Sequence, residues 1–186
     1  MKEFKPTFLI IHHSAVSRED QKAQFYAVGR YHQEKWNMKS TLGYYHGYNW
    51  FMGTNGAITQ TRAIGEETMA VIGHNKDSIH ICVAGDFDYE LPTQTQALEL
   101  ANFIQETKDI YPDIEVKFHR DLAENRNCPG ILFTKKYYNT NILNKTMTID
   151  IDDVNKNIEI QSLQKQLDGA RELIKQLLAF ITNYLK

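Results

Sequence analysis

Residues 7–12 read Thr-Phe-Leu-Ile-Ile-His, a short apolar run rich in branched side chains that ends on a pair of histidines. Such a run has no polar face to offer water. It predicts a strand inside a sheet that is covered on both sides. Residues 78–84, Ser-Ile-His-Ile-Cys-Val-Ala, and residues 114–119 read the same way. Helical stretches separate the runs. Ser17 with Asp20 resembles a capping box and predicts a helix over 18–36, and Thr93 with Gln96 caps a second one reaching about residue 110. Residues 48–52 and 57–61 flank Gly53-Thr54-Asn55-Gly56, and an Asn-Gly pair between two strand-like runs signals a hairpin. Cys128-Pro129-Gly130 is expected to open a third, short helix. The expectation is therefore an α/β, mixed α+β fold: a central mixed sheet flanked by helices. Polar loops at 37–47, 62–77 and 120–127 are where such a scaffold would carry a site.

The pattern changes after residue 138. Residues 1–138 form the expected main domain, 139–157 read as an Asn-, Thr- and Asp-rich linker, and 158–186 read as an amphipathic helix. In that last segment Ile160, Leu167, Ile174 and Ile181 make one seam, and Leu163, Ala170, Leu177 and Tyr184 the other. This alternating 3-and-4 spacing predicts a coiled-coil-like helix and a homo-oligomer. Lys+Arg 21 against Asp+Glu 23 leaves a net charge of -2, which argues against a nucleic-acid partner. Two cysteines cannot make a disulfide framework. Membrane insertion is not expected, because no apolar run approaches the ~20 residues that span a bilayer. Residues 1–6 lack the features of a secretion signal, so a cytoplasmic product is expected.

Three side chains stand out chemically. His12 and His119 each end an apolar strand, and Cys128 follows nine residues after His119. Two imidazoles and one thiolate suit Zn²⁺, and three protein ligands leave a fourth position for water, as in catalytic sites. His13 competes with His12, but the two alternate to opposite strand faces, so only one can face the metal. His32 and His80 fall inside expected elements and read as packing or surface residues.

Several motifs together resemble one family. Ile10-Ile11-His12-His13-Ser14-Ala15 is similar to the first strand of the zinc-dependent N-acetylmuramoyl-L-alanine amidases, shared by phage lysozyme-type amidases and peptidoglycan recognition proteins. His119-Arg120-Asp121-Leu122 with Cys128-Pro129-Gly130 resembles the second ligand segment. Gly43 to Phe51 with Asn55-Gly56 resembles the strand of the catalytic tyrosine and its hairpin, and Gly73-His74-Asn75 with Asp77-Ser78-Ile79 the substrate-side loop and inner strand. The likeness runs in order over about residues 7–138.

The resemblance implies zinc held by His12, His119 and Cys128, with Tyr48, or Tyr45 if the hairpin is shifted, as the catalytic phenol. Arg126 falls where relatives often carry Lys or Thr; it cannot exchange a proton, but it could stabilise an oxyanion. Some branches carry a glutamate at the position that aligns with Cys82, which reads here as a core residue. His74, Asn75 and His46 would contact substrate. The implied activity is hydrolysis of the bond between N-acetylmuramic acid and L-alanine in bacterial peptidoglycan, by an endolysin that reaches the wall after a partner permeabilises the membrane. A cytoplasmic wall-recycling amidase and a non-catalytic peptidoglycan-binding module are the alternatives. Family members without the cysteine ligand bind and do not cut.

Overall fold

The structure is a computed structural model that describes residues 4–18, 21–124, 126–145 and Leu167. The chain divides into two units, Met1–Met147 and Thr148–Lys186. The expected linker and the heptad helix lie outside the described residues, apart from Leu167, which is helical.

The first unit is built on five strands: β1 (Phe8–His13), β2 (Trp50–Met52), β3 (Ile58–Gln60), β4 (Ser78–Val83) and β5 (Glu115–Phe118). Their order in the sheet is β3-β2-β4-β1-β5. β1 runs parallel to both β4 and β5, β2 runs parallel to β4, and only the β2–β3 hairpin is antiparallel. The mixed sheet expected from the sequence is thus present. Side-chain alternation divides its two faces. Leu9, Ile11, Ile79, Ile81, Val83 and Phe118 face one core, shared with Leu100, Phe103 and Ile104 of α2 (Gln94–Ile110) and Tyr138 of α3 (Lys135–Asn141). On the other face Phe51 and Cys82 pack with Phe25 and Val28 of α1 (Gln21–Trp36). Helices on both faces explain why β1 and β4 are mostly apolar, with His13 and Ser78 the polar side chains outside the His12–His80 pair.

Local chemistry sets the boundaries. α1 is described over Gln21–Trp36 and stops where Asn37 takes a left-handed φ of 50°. Thr93 and Gln96 form the expected capping box of α2, and the buried Gln96 amide also donates to the Gly53 and Ala84 carbonyls. The hairpin turn closes as Gly53 donates to Ala57, with Gly56 at φ 81°.

The third helix is a correction. It does not open at Cys128-Pro129-Gly130; it begins at Lys135, capped by the Thr134 hydroxyl. Residues 128–133 are instead a turn held to the body, with Gly130 at φ 113°. A Cβ on Gly130 would lie 2.3 Å from the backbone carbon of Phe87. Gly130→Ala should therefore cost about 2 kcal/mol or more from φ strain and overpacking. Its denaturation midpoint should fall, and an unchanged midpoint would show that this approach is relieved by a small shift. The packed body continues past residue 138, since Ile142 is fully buried in the core.

Candidate metal centre

The strand alternation that buries Leu9 and Ile11 on one side turns Ile10 and His12 to the side of α1. His12, next to last in β1, therefore faces His119 and Cys128. One ligand atom from each of these three lies within 4.8 Å of the others. His12 Nδ1 is 3.6 Å from Cys128 Sγ, and the His12 and His119 rings are 4.7 Å apart. His13 points the opposite way, where its Nδ1 accepts the Phe87 amide at 3.1 Å. The alternative first ligand is thus separated from the cluster by the strand itself.

His119 follows directly on β5, in a 3₁₀ turn. Arg120, next to it, holds the segment that carries Cys128. Its backbone N–H donates to the Cys128 carbonyl, and its guanidinium donates to the carbonyls of Asn127 and Gly130, each at 2.9 Å, and to that of Phe133. The planar fork suits several carbonyls at fixed angles, which an ammonium would not match.

Burial favours the uncharged form of each member of the cluster. It holds His12 well below the usual histidine range, and neighbouring imidazoles add to the effect. His119 is lowered by burial and by the Arg126 charge. Burial pushes the Cys128 thiol up to about 12, although the His13 backbone amide pulls the other way. Two imidazole lone pairs and one thiol are a donor set that fits zinc, whose charge would deprotonate the thiol.

Tyr48 precedes β2, with its ring 4.9 Å from that of His12 and 5.3 Å from that of His32. Burial raises its pKa well above the ordinary phenol value, and the Cys82 and Cys128 thiols reinforce this. The hydroxyl is thus a proton-bearing donor at neutral pH. Tyr45 stands elsewhere: with Phe25, Tyr26, Arg30, Tyr44 and His46 it lines a cavity of about 800 Å³ beside α1.

The remaining sequence candidates are placed as follows. His46 is buried against Phe25 and donates from Nε2 to the Phe25 carbonyl at 3.0 Å, away from the His12 cluster. The Asn75 amide oxygen accepts from the Ala70 and Val71 amides, both at 2.9 Å, and so builds its own loop. His74 is partly exposed, next to Asp77 and edge-on to Phe8. Arg126 is exposed.

Sequence reasoning missed two residues. His80 is fully buried against His12, with its Nδ1 3.1 Å from His12 Nε2. Arg62 is also fully buried and ties the segment that leads into Tyr48. The alternation of residues 78, 80 and 82 could have placed His80 on the His12 face; no local signal pointed to Arg62.

The family model described as N-acetylmuramoyl-L-alanine amidase matches residues 2–131. A protein of Haemophilus influenzae whose own role is uncharacterised is 28% identical over 88 residues, which is 45% of this chain and 76% of that one. Among solved structures, the endolysin of the Thermus scotoductus bacteriophage Ph2119 has a TM-score of 0.61 at 18% identity, covering 75% of this chain and 86% of its own. The endolysin amidase LysCS of Clostridium intestinale has a TM-score of 0.56 at 22% identity, covering 68% and 76%. Drosophila PGRP-LB has a TM-score of 0.62 at 22% identity, covering 74% and 82%. At these identities the structural likeness is one of fold.

Proposed function

Because this chain belongs to the N-acetylmuramoyl-L-alanine amidase family, we propose that it is a zinc hydrolase that cleaves the amide between N-acetylmuramic acid and L-alanine in bacterial peptidoglycan. The observation that carries this reading is the convergence of His12, His119 and Cys128, three donors far apart in sequence, beside the Tyr48 phenol. Zinc held by these three would polarise the scissile carbonyl and make water acidic enough to attack near neutral pH.

The chain's own residues supply the rest. Tyr48 keeps its proton and offers a hydrogen bond to the carbonyl oxygen as it becomes tetrahedral. Arg126 adds positive charge next to His119 without exchanging a proton. His74, partly exposed on the 62–77 loop, would contact the glycan or stem peptide; Asn75 would shape that loop. We place the protein as an endolysin that is made in the cytoplasm and acts on the wall after release. Self-association through residues 158–186 is proposed on the heptad pattern alone.

The direct test is digestion of purified cell walls with zinc-loaded protein. Loss of turbidity with new N-terminal alanine is expected. Wall binding with no alanine released would instead establish a binding module, as the similarity in fold to peptidoglycan recognition proteins allows. Tyr48→Phe is expected to keep full zinc and to lose about 10²- to 10³-fold in kcat, the usual cost of one oxyanion donor. A Tyr48→Phe protein with unaltered kcat would remove the phenol from the mechanism.

A further inference from the structure

We propose that His80 is a positioning residue that sets the tautomer of His12, and so turns the lone pair of His12 Nδ1 toward Cys128 and His119. The inference rests on the metal-site reading above and concerns how that site is prepared before any cation arrives.

The argument begins with the sheet. β1 and β4 are parallel, with Ile10 opposite His80 and His12 opposite Cys82. His80 therefore shares a face with His12, one step behind it, and both are buried. His80 Nε2 lies 3.1 Å from the backbone carbonyl of His74. A carbonyl only accepts, so this contact requires a proton on Nε2. A neutral imidazole has a single N–H, which leaves His80 Nδ1 as an acceptor. His12 Nε2 stands 3.1 Å from that atom, so it must be the donor. With its one proton on Nε2, His12 has a bare Nδ1, and this is the nitrogen 3.6 Å from Cys128 Sγ.

A single peptide carbonyl thus orders two rings in series. Metal-binding histidines usually hold their second nitrogen with a carboxylate, a carbonyl or water. Here the partner is another imidazole, and the carbonyl lies one step further out. The carbonyl belongs to His74, whose N–H donates to the Val71 carbonyl, and Thr68 and Ala70 in the same loop bond to Asn75. The β4 side is fixed as well, because the His80 amide donates to the Asn49 side chain at 2.9 Å.

Two measurements test the proposal. In the zinc-free wild-type protein at neutral pH, long-range ¹H–¹⁵N spectra should show both His12 and His80 as the Nε2–H tautomer. A proton on Nδ1 of either ring, including a doubly protonated His80, would overturn it. Zinc affinity, read by competition with a chromophoric chelator, should fall roughly 10- to 100-fold in His80→Phe, which fills the space but removes the acceptor. His80→Gln, whose amide oxygen restores an acceptor, should recover part of that loss. Equal affinity in all three proteins would also overturn the proposal. If His80→Phe fails to fold, the wild-type spectra decide alone. A wild-type protein that takes up no zinc would end the metal reading, while the two tautomers would still be open to measurement.

Discussion

A His119→Ala protein is expected to lose its zinc and, with it, the release of N-terminal alanine from cell walls. Among the described residues, His119 is one of three His and Cys side chains whose ligand atoms gather at this point. Loss of an outer partner of a metal ligand typically costs 10- to 100-fold in affinity, so loss of a ligand should exceed roughly 100-fold. The fold should survive. His119 is only half-buried at the end of β5, so truncation admits water instead of opening a sealed cavity. Metal analysis of the purified protein, an alanine-release assay and a thermal melt form the experiment. Full zinc content with undiminished release would show that the catalytic centre lies elsewhere.

Arg62→Ala should produce the largest loss of stability of any single change considered for this chain. The Arg62 side chain is 1% exposed and pairs with Glu66 at 2.9 Å. Its remaining N–H groups donate to the Met38 carbonyl at 2.9 Å and the His46 carbonyl at 3.2 Å. Glu66 in turn accepts from the Thr41 amide and hydroxyl and from the Ala63 amide. One ion pair thus secures residues 38–46, the approach to Tyr48. Removing one partner of a buried pair costs about 3–5 kcal/mol. The lower part of that range applies here, because Glu66 retains some contact with water. Chemical denaturation should show the loss, and Arg62→Lys should restore only a fraction, since an ammonium cannot reach three acceptors in a plane. A change under about 1 kcal/mol in Arg62→Ala would mean that the segment is held by other contacts. In a stable background, the same variant should slow catalysis more than it weakens zinc binding, because it loosens the Tyr48 side of the site.

Much of the architecture was legible along the chain because it follows from local rules. The apolar runs at 7–12 and 78–84 had to be inner strands, Asn55-Gly56 had to turn, and Thr93 with Gln96 had to begin a helix. The period of two along β1 by itself separates His12 from His13. The third helix was misplaced because Pro129 and Gly130 suit a helix start and a tight turn equally well. The close approach of Phe87 to Gly130, together with Arg120's grip on three carbonyls, chose the turn.

Strand ends and side-chain types made His12, His119 and Cys128 candidates, the family resemblance selected them as a set, and the structure brings the three together. Residue order and spacing could not say that His80 touches His12, that Tyr48 rather than Tyr45 adjoins it, or that Arg62 is enclosed. Those facts depend on which strands become neighbours in the sheet and how a loop returns across it. Contacts between residues 16 to 68 positions apart are made by packing, and no local pattern in the sequence encodes them.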